Sequence, residues 1–488
     1  MSSTAYRSKP AAAADTTVCI VGLGYVGLTL AVAMASRQLR VHGVDIKPEW
    51  IARIVSGDAP FHEPGLEDAM RAATAAGHLN ATTDVGRATD ATVYVLTVGT
   101  PLRADGTANL DYIGEATKAV ARVLKDGDLV ILRSTVKIGT ARNTVAPILA
   151  ATGKRFEIAV CPERTLEGRA LHELGELPQV IGADSEATRA RCARLFGQLT
   201  PATVPVSSLE AGELVKLVDN TYRDVTFAFA NEVAHLCGHL GVSANEVISA
   251  GKLGYARTNV ARPGPVGGPC LEKDPHILAQ SAKACGARML VTEAARRVNE
   301  RLPHDAVELI AARLARAAGA RDQGIGSEVA GVRSIAVLGL AFKGRPETDD
   351  LRGTMAKPLV AALCRAFPEC SIVGYDPLAS PELASAMLGI EIAGTLEGAV
   401  AGAGLVVLAN NHALFKDVDL GAVASAMRAP GVVYDLWSQR NTAALRLPAG
   451  VNYVALGDEA LDIGVGGNRL DTGNGRDDRR DEWMVAAE

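Results

Sequence analysis

One cysteine of the sequence lies in a setting that suits covalent chemistry. Cys270 follows a Gly/Pro-rich run that begins at residue 262, and it precedes Asp274 and Pro275, a pair typical of a helix start with Asp274 as the N-cap. A thiol just ahead of a helix N-terminus and close in sequence to Lys273 favours the thiolate, which is the nucleophilic form. The other seven cysteines mostly occupy apolar segments. We therefore predict that Cys270 is a nucleophile, with a packed structural thiol as the alternative.

Three polar residues share one face of a long predicted helix upstream of this loop. Apolar residues recur with a 3.6-residue rhythm from 208 to 240, which predicts a single helix linking two domains. Lys216, Asn220 and Arg223 stand at i, i+4 and i+7 on the polar side of that helix. On local grounds a solvated helix face explains all three, and most clearly Arg223.

The same helix carries a pattern that invites a metal site. His235 and His239 are spaced i, i+4, with Cys237 between them. No third ligand and no HExxH glutamate accompanies the two histidines, so we predict no metal.

A glycine-rich turn near the start of the sequence predicts a dinucleotide site. Gly22, Gly24 and Gly27 follow the apolar strand 17–21 and open an Ala-rich helix, and Asp45 ends the next strand. The glycines would form the tight turn, admit a pyrophosphate and allow close helix packing, with the diphosphate at the helix N-terminus. Asp45 would bind the ribose 2'-hydroxyl and repel a 2'-phosphate, so NAD is preferred over NADP. The alternative is a glycine-rich turn in a domain that binds no nucleotide.

Further polar residues follow the next predicted strands, which lie at 92–98, 129–132, 157–160 and 180–182. Ligands of such sheets bind beyond the carboxyl ends of the strands, so these positions could line one crevice. Thr135 is as well explained by a helix N-cap as by a site role, and Glu163 favours a site role. The segments concerned are 99–101, 134–136 and 161–164.

A second α/β unit follows, with strands predicted at 334–338, 371–374, 405–408 and 432–434. Its first turn, 339–343, lacks the glycine triplet, so a second dinucleotide is not expected. Lys343, Arg352 and Arg440 could instead hold a phosphate-bearing substrate.

The fold class predicted from these elements is α/β, with two Rossmann-like, doubly wound parallel sheets joined by the long helix and its helical domain. The predicted domains are a disordered 1–15, an NAD-binding α/β domain 16–207, a helical domain 208–317 with the Cys270 loop, a linker 318–333, a second α/β domain 334–463 and a flexible tail 464–488.

Composition sets outer limits on the function. The chain has 488 residues, 48% of them hydrophobic and 22% charged, as in soluble globular proteins. A net charge of -5 provides no basic field for nucleic acid or an anionic membrane. Eight scattered cysteines without a CxxC pair indicate reduced thiols and a cytoplasmic protein. We expect neither a signal peptide nor a membrane span.

The order of these motifs resembles one family, the UDP-glucose/GDP-mannose dehydrogenases, or nucleotide-sugar 6-dehydrogenases. The likeness runs from residue 17 to about 460, and several motifs in one order are far more specific than any one of them. The motifs are GLGYVG at 22–27, STV at 134–136, PE at 162–163, KLVDN at 216–220, GGPCLEKD at 267–274 and FKGRPETDDLR at 342–352.

The resemblance implies a four-electron oxidation of a sugar C6 hydroxyl to a carboxylate, with two NAD and one water consumed by a homodimer built on the 208–240 helix. Cys270 would capture the intermediate aldehyde, while Lys216 and Asn220 stabilise the oxyanion at C6. Thr135, Glu163 and Asp274 would hold or activate water. Of these, Glu163 is the favoured base for hydrolysis, and Glu167 matches a second glutamate whose role is less secure.

The resemblance also implies that 208–317 is a dimerisation domain and that 334–463 is a UDP-binding domain. It further implies two sets of binding residues. The cofactor set is Gly22, Gly24, Tyr25, Val26, Gly27, Asp45, Thr100, Thr135 and Lys273. The substrate set is Glu163, Arg164, Lys216, Asn220, Arg257, Gly267, Lys343, Arg352 and Arg440.

The sequence motifs disagree about which UDP-sugar is oxidised. The stretches 161–174 and 177–183 resemble the branch that oxidises UDP-N-acetylmannosamine or UDP-N-acetylglucosamine, whereas Lys273 and Glu167 resemble the UDP-glucose branch, and Pro269 fits neither. We favour the N-acetylhexosamine on the longer stretch, with UDP-glucose as the alternative. A two-electron hydroxyacid dehydrogenase and a non-catalytic NAD-binding protein are the rivals from other classes.

Overall fold

The computed structural model describes residues 16–317, 332–440 and 445–458, with backbone alone at 315–317. The chain divides into two compact units that interleave in sequence. The N-terminal unit comprises the chain up to Tyr222 together with Pro269–Glu293 and Pro346–Asp350, and the remainder is the C-terminal unit. The predicted disordered N-terminus, most of the predicted linker and the predicted tail lie outside the described residues. The domain boundaries stay predictions.

An eight-stranded sheet forms the centre of the N-terminal unit. Its strands are β1 Thr17–Val21, β2 Arg40–Val44, β3 Leu79–Thr82, β4 Val93–Leu96, β5 Asp128–Leu132, β6 Phe156–Val160, β7 Gln179–Gly182 and β8 Thr203–Val206. The strand order is β3-β2-β1-β4-β5-β6-β7-β8, so the chain reverses direction across the sheet between β1 and β4. All pairs are parallel except β6 with β7, which meet antiparallel at Val160 and Gly182.

Helices cover both faces of this sheet. Alternate residues of β1 enter different core clusters, Val18 and Ile20 on one face and Cys19 and Val21 on the other. This explains why the central strands are apolar throughout rather than alternating. The helices are α1 Tyr25–Ser36, α2 Pro48–Ser56, α3 Leu66–Ala75, α4 Asp111–Ala121, α5 Ala146–Ala150, α6 Ala170–Glu173 and α7 Glu186–Phe196, with a 3-10 turn at Val85–Arg87 and a π-helical turn at Ala141–Val145.

The long predicted helix is present as α8, Leu209–Leu240. Its apolar rhythm does not mark a face that is buried within the chain, because Leu214, Val218, Phe229 and Leu236 are all exposed. Four helices follow it: α9 Ala244–Lys252, α10 Gly268–Leu271, α11 Asp274–Ala284 and α12 Leu290–Ala317. None of the helices in the described part of the chain is both long and apolar enough to cross a membrane.

A six-stranded, all-parallel sheet forms the centre of the C-terminal unit, in the order β11-β10-β9-β12-β13-β14. Its strands are β9 Ser334–Leu338, β10 Ser371–Tyr375, β11 Glu391–Ile392, β12 Leu405–Leu408, β13 Gly431–Asp435 and β14 Val451–Ala455. Its helices are α13 Ala356–Ala366, α14 Pro381–Leu388, α15 Leu396–Val400, α16 Ala413–Asp417 and α17 Leu420–Ala426.

The predicted fold class of two Rossmann-like sheets is therefore confirmed, with local corrections. Helix α1 begins at Tyr25, so Gly27 of the glycine motif lies within the helix. Sequence reasoning missed the short edge strands β3, β8, β11 and β14, and it did not foresee the antiparallel junction of β6 and β7. Edge strands of two to five residues carry too little periodicity to be detected by pattern.

Candidate active site

The glycine turn after β1 has the geometry that a dinucleotide requires. Gly22 has φ +99°, and its N–H donates to the Val44 carbonyl at 2.7 Å. A Cβ on Gly27 would lie 1.8 Å from the Gly22 carbonyl oxygen, so only glycine permits this close helix packing. A Cβ on Gly24 would meet nothing within 4 Å, so the space beside the N-terminus of α1 is open. These residues fit a bound dinucleotide, with the diphosphate at the start of α1.

Asp45 lies at the end of β2 beside this turn. Its carboxylate accepts the N–H of Leu23 at 2.8 Å and the N–H of Lys47 at 3.0 Å. The half-exposed carboxylate keeps acceptor positions for a ribose hydroxyl while it holds the turn in place. Half-buried Val26 occupies the first turn of α1.

Tyr25 occupies the first position of α1, and its hydroxyl makes hydrogen bonds within the protein. It donates to the buried carboxylate of Glu63, and the N–H of Gly168 donates to both groups, at 2.8 and 2.7 Å. Burial and the hydrogen bond to Glu63 raise the pKa of Tyr25 far above its usual value. Tyr25 therefore ties the nucleotide turn to the loop that carries Glu167, a contact that the spacing alone did not reveal.

Thr100 and Thr135 come together at the carboxyl ends of β4 and β5. The buried Thr100 hydroxyl donates to the backbone carbonyl of Thr135. Thr135 lies in a non-helical segment, so the N-cap interpretation of this residue is wrong. Its half-buried side chain is left for the crevice.

The predicted nucleophile lies inside the short helix α10 rather than in an open loop. Helix α11 begins with Asp274 itself and has Lys273 at the N-cap position, which corrects the predicted cap. Burial raises the pKa of the half-buried Cys270 thiol, and the lowering effects of Lys216 and Lys273 do not offset it. The expected thiolate is therefore not the favoured form in this state, and a base must take the thiol proton during reaction.

Lys216, Asn220 and Asp274 form a buried polar group around this cysteine. Lys216 and Asn220 are 8% and 4% exposed, so the solvated-face interpretation is wrong for both of them. The Asn220 amide donates to Asp274 at 2.6 Å, and the Lys273 ammonium donates to the other oxygen of Asp274, also at 2.6 Å. Asp274 is completely buried. Arg223, at the next position of the spacing, is half-buried.

Glu163 is buried, and every contact it makes is to a donor. Its Oε1 accepts the N–H of Arg164 at 2.6 Å and the N–H of Thr165 at 2.7 Å, while Oε2 accepts from the guanidinium of Arg133. Although burial raises the pKa of Glu163, Arg133 and these N–H groups outweigh it and leave the pKa below its usual value. A saturated carboxylate with a lowered pKa is poorly suited to the predicted role of hydrolytic base.

Two buried residues near this crevice were missed by sequence reasoning. Arg133 is 2% exposed, and the sequence signal for it was a single charge directly after an apolar strand. Glu213 lies one helical turn before Lys216 and accepts the N–H groups of Gly139 and Ala141. Burial raises the pKa of Glu213 to about 7.

Several predicted substrate residues make contacts within the protein. Arg164 donates to the Pro178 carbonyl at 2.6 Å and lies 3.6 Å from the Asp219 carboxylate. Exposed Arg257 stacks over the ring of Tyr255, with 4.7 Å to the ring centroid. A Cβ on Gly267 would lie 2.3 Å from the Gly353 carbonyl oxygen.

The predicted phosphate-binding cations follow strands of the C-terminal sheet. Lys343 lies beyond the carboxyl end of β9, and Arg440 lies beyond that of β13, the edge at which ligands of parallel sheets bind. Arg352 is exposed between β9 and α13. Arg440 donates to the Val418 carbonyl, and burial lowers its pKa.

The histidine pair on α8 lies one helical turn apart on the same helix. The rings of His235 and His239 lie 4.5 Å apart, and Cys237 is buried. Within residues 16–317, 332–440 and 445–458, no group of three or more His, Cys, Asp or Glu side chains could hold a metal ion.

Comparison with family models covers most of the sequence in three consecutive matches. Residues 16–200 match the NAD binding domain of the UDP-glucose/GDP-mannose dehydrogenase family. Residues 210–301 match the central domain of that family, and residues 336–441 match its UDP binding domain.

Individual relatives agree with this match. The UDP-N-acetyl-D-mannosamine dehydrogenase of Salmonella typhi is 34% identical over 421 residues, which cover 84% of this chain and 96% of the relative. The structure of a UDP-D-ManNAc dehydrogenase from Pyrococcus horikoshii superposes with a TM-score of 0.81 at 31% identity, over 91% of this chain and 100% of that chain. A UDP-glucose dehydrogenase from Pyrobaculum islandicum gives 0.78 at 29% identity, over 90% and 96%.

Proposed function

The chain belongs to the UDP-glucose/GDP-mannose dehydrogenase family, and from that premise we propose that it oxidises the C6 hydroxyl of a UDP-sugar to a carboxylate through a covalent adduct of Cys270. It is an NAD-dependent oxidoreductase. The observation that carries the covalent mechanism is the burial of Lys216, Asn220 and Asp274 around the thiol of Cys270. A buried lysine and amide next to a cysteine form a site for an oxyanion rather than a structural packing site.

The proposed reaction has two oxidations and one hydrolysis. The C6 alcohol loses a hydride and a proton to give an aldehyde, and the Cys270 sulfur adds to its carbonyl carbon to form a thiohemiacetal. Loss of a second hydride and proton gives a thioester, and water then cleaves its C–S bond. NAD, when bound, accepts the hydride in each oxidation. The balance is one alcohol, one water and two NAD consumed, with one carboxylate, two NADH and three protons formed.

We propose that Lys216 and Asn220 stabilise the negative charge that develops on the C6 oxygen. Both side chains are buried, and a fixed donor in a water-excluded site is stronger than one in solvent. Lys216 also lowers the pKa of Cys270, which assists attack by the sulfur.

Water is the second reactant that the site must hold. Two donors occupy the Asp274 carboxylate, from Asn220 and Lys273, which leaves about two of its acceptor positions for water. We propose that Asp274, together with the Thr135 hydroxyl, holds this water. The saturated Glu163 is less suited to do so.

The proposed substrate is a UDP-N-acetylhexosamine, most simply UDP-N-acetyl-D-mannosamine, with UDP-glucose as the alternative. A relative from Salmonella typhi and a solved relative from Pyrococcus horikoshii carry the mannosamine name, and both align over most of this chain. Residues 336–441 match a UDP binding domain, and we propose Lys343, Arg352 and Arg440 as its phosphate-binding cations. The uronate would serve polysaccharide or glycoconjugate synthesis.

Two properties of the whole protein complete the proposal. We propose a homodimer built on α8, because the exposed Leu214, Val218, Phe229, Leu236 and Leu240 form an apolar stripe along one helix. We place the enzyme in the cytoplasm, because all eight cysteines are free thiols, which suits a reducing compartment.

The test counts NADH formed per sugar consumed, with excess NAD and limiting UDP-N-acetylmannosamine, UDP-N-acetylglucosamine or UDP-glucose in separate reactions. We expect two NADH per sugar with one of the N-acetylhexosamines. Cys270→Ser should form almost no uronate and should still bind NAD. Cys285→Ser, at an exposed thiol, is the matched control and should retain full turnover. One NADH per sugar, or uronate formation by Cys270→Ser, would refute the covalent mechanism.

A further inference from the structure

A buried arginine lies at the end of β5, directly before the Thr135 segment. Arg133 is 2% exposed, and it is the largest side chain that is fully buried in the described part of the chain. Burying a guanidinium is costly unless each donor finds an acceptor. Its contacts therefore show which groups the buried guanidinium holds in place.

The guanidinium of Arg133 holds one turn of the chain. Its Nε and Nη2 donate to Glu163 Oε2, the first of them at 3.1 Å. Its Nη1 donates to the Cys161 carbonyl at 3.1 Å and to the Gln179 side chain at 2.8 Å. The guanidinium also lies over the ring of Phe196, with 5.4 Å to the ring centroid.

Gln179, which lies on β7, adds two further hydrogen bonds to this arrangement. Its amide donates to the Pro162 carbonyl at 3.1 Å and to its own neighbour, the Val180 carbonyl, at 2.9 Å. Arg133 and Gln179 thus hold the carbonyls of the two residues directly before Glu163, where the chain passes from β6 towards the antiparallel β7.

The carboxylate of Glu163 has no acceptor position left. A carboxylate accepts about four hydrogen bonds, and Glu163 receives two from Arg133 and one each from the N–H groups of Arg164 and Thr165. Taking a proton or binding a water would require one of these bonds to break. The positive charge of Lys216 acts to lower the pKa of both Glu163 and Cys270, although burial leaves the pKa of Cys270 raised. The Arg133–Glu163 pair and the nucleophile are therefore both influenced by the charge of Lys216.

We propose that Arg133, assisted by Gln179, is a positioning residue that keeps Glu163 ionised and fixes the 161–165 turn, so that Glu163 acts by its fixed charge and not as a proton acceptor. This inference rests on the proposed function, because the charge matters only where Cys270 and Lys216 react. It leaves Asp274 as the carboxylate that handles water.

The experiment compares Arg133→Lys, Glu163→Gln and the double variant Arg133→Met/Glu163→Gln with the unaltered enzyme. Arg133→Lys keeps the buried charge but loses the two-pronged contact. We expect kcat to fall about 100-fold with the KM for NAD within twofold, because a small misplacement costs about that much. As the pH is lowered, the kcat of Arg133→Lys should begin to fall at a higher pH than the kcat of the unaltered enzyme, because Glu163 then titrates closer to its usual range. The double variant should show no such fall and be no slower than Glu163→Gln alone.

The matched control is Arg191→Met. Arg191 pairs with Glu157 at 2.6 Å near the amino end of β6, and both side chains are partly exposed, so its loss breaks an arginine–glutamate pair at the end of the strand opposite to Glu163. This control should change stability but leave the pH profile of kcat unaltered. An unshifted profile in Arg133→Lys, or additive losses in the double variant, would overturn the inference.

A second measurement, made without any substrate, tests whether Arg133 keeps Glu163 ionised. The lowered pKa of Glu163 contributes stability above its unfolded pKa, and this is lost as pH falls through the folded value. Arg133→Lys should therefore flatten the fall of unfolding free energy in acid, as Glu163→Gln does. If the unaltered enzyme yields no NADH from any nucleotide sugar, the proposed function fails, while this unfolding comparison still confirms or overturns the Arg133–Glu163 pairing.

Discussion

The turn after the first strand has the same construction in both sheets, but the space beside that turn differs between them. Gly22 follows β1 with φ +99°, Gly339 follows β9 with φ +90°, and an aspartate after the neighbouring strand holds each turn. Asp45 accepts the N–H of Leu23, and Asp376 accepts those of Leu340 and Ala341. In both sheets the strand order reverses beside this turn, which is where a ligand is expected.

The difference lies in what fills the space beyond the turn. In the N-terminal unit α1 starts at Tyr25, and Gly24 faces open space. In the C-terminal unit the next helix starts only at Ala356, and the intervening loop packs against the residues after β12. Cβ atoms on Gly339 and Gly344 would lie 2.4 Å from the Asn410 side chain and 1.9 Å from the His412 nitrogen. The N-terminal crevice is therefore left for a dinucleotide, whereas Asn410 and His412 fill the space next to Gly339 and Gly344 in the C-terminal crevice.

The strongest test of the filled crevice is Gly344→Ala. The added methyl group would meet the backbone of His412, which cannot move as a flexible side chain could, so we expect a loss of about 3 kcal/mol in unfolding free energy. Hydrogen exchange should locate the loss in the C-terminal sheet, with NAD affinity unchanged. Gly394→Ala, at a glycine with open space, is the control and should be neutral. Weakened NAD binding in Gly344→Ala would contradict the assignment of the dinucleotide to the crevice of the N-terminal unit.

The crevices should also differ in their response to pH. Glu213 holds the N–H groups of Gly139 and Ala141 after β5, whereas uncharged Asn411 holds those of Gly344 and Arg345. With its pKa raised from 4.5 to about 7, Glu213 retains a proton in the folded state that the unfolded chain has released. Its contribution therefore lowers the unfolding free energy as pH rises from 4.5 to 7, by about 3 kcal/mol in all.

Urea unfolding between pH 4.5 and 8 measures this effect as the difference between Glu213→Gln and the unaltered chain. The variant should gain stability relative to the unaltered chain as pH rises. Glu210→Gln is the control and should show almost no pH dependence over this range, because pairing with Arg142 lowers the pKa of Glu210 to about 2 and places its titration below pH 4.5. A pH-independent difference for Glu213→Gln would show that this carboxyl titrates normally.

The open crevice is tested by Gly24→Val. No atom lies within 4 Å of the added Cβ, so the protein should fold with an unchanged melting temperature. The side chain would occupy the path of the pyrophosphate, and we expect NAD affinity to fall about 100-fold, or about 2.7 kcal/mol, by calorimetry. Gly114→Ala within α4 is the control and should leave NAD affinity unaltered. Unchanged affinity in Gly24→Val would place the dinucleotide elsewhere.

The sequence predicted the open crevice better than the filled one for a physical reason. A glycine triplet between a strand and a helix is a local signal, so Gly22, Gly24, Gly27 and Asp45 could be read from their spacing. The Asn410 contact with Gly339 joins residues far apart in the chain, and no local pattern encodes it.

The same limit applies to the candidate active site. Cys270 was found from its loop, but its raised pKa depends on burial, and the burial of Lys216 and Asn220 depends on packing against other segments. Arg133 meets Glu163, and Gln179 meets Arg133, only in the fold, and these contacts leave the favoured base without a free acceptor position. Residue types could be predicted, whereas the partners that set their charge could not.

The smallest expected effect separates the two aspartates that hold the turns. Asp45→Asn keeps a side-chain oxygen for the Leu23 N–H but removes the charge that would repel a 2'-phosphate. The ratio of NADP to NAD affinity should rise about 10-fold, which is about 1.4 kcal/mol, in paired calorimetric titrations. Asp376→Asn is the matched change in the C-terminal unit, where four N–H groups occupy the carboxylate and the crevice is filled. It should alter neither affinity, because an aspartate selects a cofactor only where the turn beside it leaves room for one.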